Sequence, residues 1–282
     1  MRIGILTSTD TRHRYFVNRV AEALPVVAVG LEQTGYSPSD LSGYDLTREE
    51  AKAVVHHFSE RTRLETLYFS DHAFVPEGIA RLELKPGTLN APETVTFFSK
   101  AGVDLLLVYG TNLVRDPLLS TWQGRIINMH LGLSPYYRGT ATNFYPLLNE
   151  EPEYVGATIH WLDAGIDSGP ILRHARPEIV ANDAPHTIGC KAIRAGIETL
   201  ISVVKALGTG SVPAFPQWKP GNAKLYLRKD YHPRQVHQLY HKLDQGLIPR
   251  FVENAANRLA AVRLVESHAF HDRVGVLSAV HS

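Results

Sequence analysis

A chain of 282 residues, 44% hydrophobic and 20% charged, can bury a substantial core, and its composition excludes a disordered polypeptide. A formal charge of +1 argues against a globally basic nucleic-acid or membrane binder, since both need a clear surplus of Lys and Arg. The single Cys190 excludes an internal disulfide and a cysteine-based zinc cluster, and no run has the length of a membrane span or of a signal-peptide core, so the expectation is a soluble cytoplasmic protein without a metal.

The chain opens with an apolar strand over Arg2–Leu6, and apolar residues at helical spacing (Tyr15, Phe16, Val20, Leu24) predict a helix over Arg12–Leu24. "PVVAVG" (Pro25–Gly30) predicts a second strand. The Thr47–Glu50 capping box opens a long polar helix that runs to about Phe69. "APETVTFFSK" predicts a short helix, and "GVDLLLVYG" (Gly102–Gly110) is a continuous apolar run of the kind that fills a central parallel strand. "DPLLSTW" predicts another short helix with Pro117 in its first turn. A strand over Arg125–His130 follows, then a polar loop and a helix or turn over Phe144–Leu148. Strands in "VGATIHWLDAG" and around Ile171–His174 precede a long helix from Pro185 to about Leu207. Strands alternating with helices at this spacing predict an α/β protein, a Rossmann-like open, mostly parallel sheet with helices on both faces.

"GTGSVP" marks a boundary, giving a catalytic domain over 1–208 and a small C-terminal α+β extension over 209–282. The extension holds 10 Lys and Arg against 5 Asp and Glu. Its expected elements are a small hairpin or edge strand in "NAKLYLRKDYHP", a helix near Pro233–Leu243 and an alanine-rich helix near Ile248–Leu264. A covering or dimerising role suits it better than a grip on tRNA.

The stretch "NMHLGLSPYYRGTATN" carries the chemistry. Asn128 and His130 stand at the carboxyl end of a strand, where open α/β sheets bind ligands, and side chains two apart share a face. Asp167 follows His130 by 37 positions, in the glycine-bounded loop of "LDAGIDSGPIL". An amide, an imidazole and a carboxylate around one cleft suit a tetrahedral intermediate at a carbonyl. No Ser or Cys sits in a nucleophile elbow, which favours direct transfer over a covalent enzyme intermediate.

"NMHLGLSPYYRGTA" followed by "VGATIHWLDAGIDSGPIL" resembles the formyltransferases that use 10-formyltetrahydrofolate: methionyl-tRNA formyltransferase, glycinamide ribonucleotide formyltransferase and the sugar-nucleotide N-formyltransferases. The resemblance is close from about Gly102 to Ile171 and looser to Leu207. It implies Asn128, His130 and Asp167 as catalytic residues, with Asp167 keeping His130 protonated near neutrality for oxyanion stabilisation. It implies that "VYGTNLVRDPLL" holds the folate cosubstrate, through Tyr109, Gly110, Asn112 and Leu113. Asp163 lies on the same cofactor side, although its place in the loop favours a structural role. The acceptor is implied to be a small-molecule amine, with a nucleotide-linked amino sugar preferred by elimination. Formylation of methionyl-tRNA, hydrolysis of the formyl donor and a non-catalytic folate-binding role stay open, and a homodimer is compatible.

The chain departs from the family in three places, one of them a stretch between the second strand and "GVDLLLVYG" that is longer than in the simplest members. His130 is followed by Leu131-Gly132 where the family commonly has Pro-Ser, and the first turn, "TSTDTRHRY", lacks the glycines of the purine enzyme's phosphate loop. Arg12 in that turn is an acceptor-phosphate candidate or a solvated residue beside a polar cap. Tyr136 is a stacking candidate or loop packing. Arg138-Gly139 is an acceptor or cofactor contact, or a turn into a helix. His160 has a sheet-face role by default, His56 and His57 lie on a charged, solvated helix, and Trp161 and Trp218 are packing residues or walls of the pterin slot.

Overall fold

The computed structural model describes residues 1–33, 40–69 and 75–266. The chain runs β1 (Ile3–Thr7), α1 (Thr11–Ala23), β2 (Val26–Glu32), α2 (Arg48–Phe69), β3 (Ala80–Leu84), α3 (Pro92–Lys100), β4 (Leu105–Tyr109), α4 (Leu118–Thr121) and β5 (Ile126–Leu131). It continues through β6 (Tyr137–Gly139), α5 (Tyr145–Leu148), β7 (Ala157–Trp161), β8 (Ile171–Ala175), α6 (Pro185–Thr209), β9 (Lys224–Tyr226), α7 (Arg234–Asp244), α8 (Leu247–Glu253) and α9 (Ala255–Ala260).

The main sheet has the order β3-β2-β1-β4-β5-β7-β8. The first five strands are parallel, and β7 and β8 join antiparallel. Strand order reverses between β1 and β4, so the crevice beyond their carboxyl ends is the ligand position of such sheets. Period-two alternation along β4 sends Leu105, Leu107 and Tyr109 into the core under α1 and α6, and Leu106 and Val108 into the core under α3 and α4. A strand buried on both faces reads as an uninterrupted apolar run, which is why this one was legible.

The capping box forms: the Glu50 carboxylate accepts the Thr47 N–H at 2.8 Å, and the Thr47 hydroxyl accepts the Glu50 N–H at 3.2 Å. Strand β3, "ARLEL", has no counterpart among the predicted strands; as an edge strand it is largely solvent-facing and lacks an apolar run. In place of a hairpin, β9 pairs in parallel with the three-residue β6. The single alanine-rich helix is two, α8 and α9, broken at Asn254, whose side-chain amide donates back to the Arg250 carbonyl at 3.3 Å.

Beyond residue 209 the chain folds back on the sheet. Leu239, Leu247, Ile248 and Val262 share one buried cluster with Leu133, Tyr137, Tyr145 and Ile188. The Tyr226 ring lies flat on Tyr145, 3.6 Å between centroids at an interplanar angle of 4°. Residues 267–282 of the extension lie outside the described residues.

Candidate active site

Strand β5 delivers Asn128 and His130 together, because Ile127 and Met129 point the other way into the α1–α6 core. Antiparallel pairing sets His160 of β7 directly opposite Asn128. The loop after β7 then returns Asp167 over the strand end, with Asp167 itself in the left-handed region (φ +46). A non-glycine residue held there marks a conformation enforced by its surroundings. Gln217 enforces it from the extension: its amide donates to the Asp167 carbonyl at 2.7 Å and to the Gly169 carbonyl at 3.0 Å.

The Asp167 carboxylate is the hub. Its Oδ1 accepts Asn128 Nδ2–H at 3.2 Å, and its Oδ2 accepts the Gly139 N–H at 2.9 Å and lies 3.3 Å from His130 Nδ1. Nε2 of His130 donates to the Tyr137 carbonyl at 3.0 Å. His160 donates from Nδ1 to the Trp161 carbonyl at 2.8 Å, which fixes its tautomer and leaves Nε2 to accept the second Asn128 amide hydrogen at 3.1 Å. Both amide hydrogens of Asn128 are thus engaged, and an oxyanion would take one from Asp167 or His160.

Electrostatics separate the two titrating partners. Burial alone would raise the Asp167 carboxyl, but His130, His160 and the Gly139 N–H outweigh it and hold the group down to about 2. Burial lowers His130 below its ordinary value, more than Asp167 and the Tyr137 carbonyl raise it. A protonated imidazole near neutrality was expected; the buried ring, 6% exposed, favours the neutral form. With Nε2–H given to the Tyr137 carbonyl, the neutral ring carries its lone pair on Nδ1, and a proton taken there is shared with Asp167 Oδ2.

Two glycines make this packing feasible. A Cβ at Gly132 would stand 2.8 Å from His130 Nε2 and 2.7 Å from Thr142 Cβ, at φ +144. The departure Leu131-Gly132 therefore makes room for the imidazole. Gly139, at φ +93, has no space for a Cβ against the Tyr226 carbonyl and lends its N–H to Asp167. It sits in a strand, β6, and not in a turn into a helix.

A formyl transferase family model matches residues 38–204. The chain belongs to the formyl transferase family. In fold, this formyltransferase is similar to phosphoribosylglycinamide formyltransferase from Anaplasma phagocytophilum, with 16% identity over 80% of this chain and 97% of that one and a TM-score of 0.54. It is similar to a 4-N formyltransferase from Francisella tularensis, with 17% identity, 82% and 77% coverage and a TM-score of 0.52. It is also similar to an N-formyltransferase from Helicobacter canadensis, with 14% identity, 85% and 79% coverage and a TM-score of 0.50.

Several expected ligand contacts of the formyltransferase are placed otherwise. The Arg12 guanidinium is bound to Glu65 at 2.9 and 3.1 Å and to Asp10 at 2.6 Å, joining α1 to α2. Tyr136 is buried, its ring tilted on Tyr154 and edge-on to Trp218, its hydroxyl accepting the Arg263 N–H at 3.1 Å. Trp218 is the packing residue in that cluster. Tyr109 is a core residue, its ring edge-on to His13 and Phe16. Asp163 staples its own loop, accepting the Gly165 N–H at 3.1 Å and the Ser168 hydroxyl at 2.8 Å. His57 is not solvated: it is buried and hydrogen-bonded to His186 at 3.2 Å. Leu113 is 45% exposed, and Asn112 beside it is hydrogen-bonded to Glu32. Arg138, whose charge bears on His130, pairs with no carboxylate among the described residues.

Sequence reasoning missed His160, Gln217 and the packing role of Gly132. His160 stands in an alternating strand pattern identical to that of any half-buried sheet residue. Gln217 carries no motif, and only its neighbours in space give it a role.

Proposed function

We propose that this formyltransferase moves the formyl group of 10-formyltetrahydrofolate to the amine of a small metabolite, and that a nucleotide-linked amino sugar is the acceptor. The observation that carries the reading is the single hydrogen-bonded cluster of Asn128, His130, Asp167 and His160 at the carboxyl end of β5, in a chain of this family. Neutral His130 takes the proton of the attacking amine as its nitrogen bonds to the formyl carbon, and returns it to the folate nitrogen as the old carbon–nitrogen bond breaks. An Asn128 amide hydrogen meets the developing oxyanion, and Asp167 accepts the Nδ1–H formed on His130 and stabilises its transient charge.

On the donor side, the loop of Gly110, Asn112 and Leu113 presents the exposed apolar Leu113, which suits a flat heterocycle. On the acceptor side, Arg138 is a cation beside the catalytic cluster with no acid partner among the described residues, which suits a phosphate-bearing acceptor. The Helicobacter canadensis protein was crystallised with folinic acid and dTDP-3-aminofucose, which supports the pairing of a folate with a nucleotide-linked amino sugar.

The test is incubation with 10-formyltetrahydrofolate and a panel of amino-sugar nucleotides, amino acids and tRNA, read by mass spectrometry for the gain of one carbonyl. A formylated amino-sugar nucleotide is expected. Formate released without any amine would indicate a hydrolase, and formylated tRNA bound with a steep salt dependence would indicate the tRNA enzyme.

A further inference from the structure

The loop after β4 is held by side chains from three distant parts of the chain. Glu32 is the last residue of β2 and is fully buried. Its Oε2 accepts the Asn112 backbone N–H at 2.7 Å, and its Oε1 accepts Asn112 Nδ2–H at 2.7 Å. Arg228, in the turn after β9, donates to Asn112 Oδ1 at 2.7 Å. Asn90 fixes the next residues, donating to the Leu113 carbonyl at 2.9 Å and accepting the Arg115 N–H at 2.7 Å. Asn112, with both ends of its amide engaged, is an anchor of the loop.

A carboxylate taken wholly out of water is expensive unless its oxygens are well bonded, and here both bonds go to one loop residue. The same Asn112 amide is read from its other end by the C-terminal segment. We infer that Glu32 is a positioning residue, and that the Glu32–Asn112–Arg228 chain sets the loop to receive the formyl donor, which gives the C-terminal extension a donor-side role. The inference rests on the assignment of this loop to the folate.

The test measures folinic acid affinity by tryptophan fluorescence alongside steady-state kinetics. Glu32→Gln places an amide donor against a donor. It is expected to weaken folinic acid binding and raise KM for the formyl donor about 10-fold, with kcat at saturation and acceptor KM held within about twofold. Arg228→Ala, on the surface, should weaken binding about threefold and decides the matter if Glu32→Gln fails to fold. The double variant Glu32→Gln/Asn112→Asp exchanges donor and acceptor within the pair and should restore binding to within about twofold of wild type.

A double variant no better than the single one would overturn the inference. So would wild-type affinity in Glu32→Gln and Arg228→Ala, or a loss confined to kcat. A wild-type protein that binds no folinic acid would overturn the folate assignment itself and this inference with it, an outcome distinct from unchanged affinity in the variants.

Discussion

At the scale of single residues, the site depends on how Asp167 divides its two oxygens among an amide, a backbone N–H and an imidazole. Asp167→Asn keeps the shape but removes the charge and turns one acceptor into a donor; kcat is expected to fall about 10²–10³-fold with the fold retained, measurable by single-turnover formyl transfer. The pH dependence follows from the sign of the shift. Because burial lowers His130, the base stays neutral below the ordinary histidine value of about 6.5, and the acid limb of kcat/KM should lie under that pH. Asp167 raises His130, so any residual activity of Asp167→Asn should show that limb displaced further down; a limb at or above the ordinary value would refute the neutral-base role. Gly132→Ala brings a methyl against His130 Nε2, and a displacement of the imidazole on the order of 1 Å is expected to lower kcat about 10²-fold.

Among elements, α1 and α2 are tied by an ion cluster. Glu65 is bonded by Arg12 at 2.9 Å and by Arg61 at 2.8 Å, and burial, which would raise its carboxyl, is outweighed by the two guanidiniums. Glu65→Gln would leave the Arg12 and Arg61 guanidiniums with Asp10 as their one shared carboxylate, in a part-buried position. It should destabilise the protein by about 3 kcal/mol, read as a lowered midpoint in urea. This role explains why Arg12 was legible only as a basic residue near a strand end: its partner lies 53 positions away on a helix whose own pattern reads as solvated. The capping box of α2 was legible because both halves lie within four residues, whereas β6 and β9 exist only as each other's partner, and three residues apiece carry no periodicity.

For the molecule as a whole, the neutral buried histidines set the response to acid. Burial, with neighbouring cations and histidines, pushes His57 down to about 3 and His186 to about 4, and burial pushes His174 to about 4. His174 donates to the Ser134 carbonyl and accepts the Val265 N–H, both at 2.8 Å, so its protonation would release the C-terminal segment. Folded values below the unfolded one mean that stability is complete above about pH 6.5. It is lost as pH falls towards 4 and then 3, by up to about 1.4 kcal/mol per pH unit for each histidine. Urea midpoints at pH 7, 5.5 and 4.5 should fall in that order; equal midpoints would show that these rings are not neutral and buried. Removal of the chain after residue 208 would expose Leu133, Tyr137, Tyr145 and Ile188, so the truncated protein should lose cooperative unfolding, measurable by circular dichroism on heating.

What the amino-acid order by itself determined is whatever is local or periodic: the alternating sheet and helices, the capping box, and the placing of Asn128 and His130 on one side of a strand. Tertiary structure alone decided which polar groups meet. His160 and Gln217 reach the cluster of Asn128, His130 and Asp167 through strand pairing and loop return, Glu32 reaches Asn112 across the sheet, and Tyr136 and Arg12 are drawn into packing and ion pairs. The physical reason is range: periodicity and capping act within a turn or a pleat, whereas a buried hydrogen bond or ion pair is chosen by closeness in space, which a linear pattern does not encode.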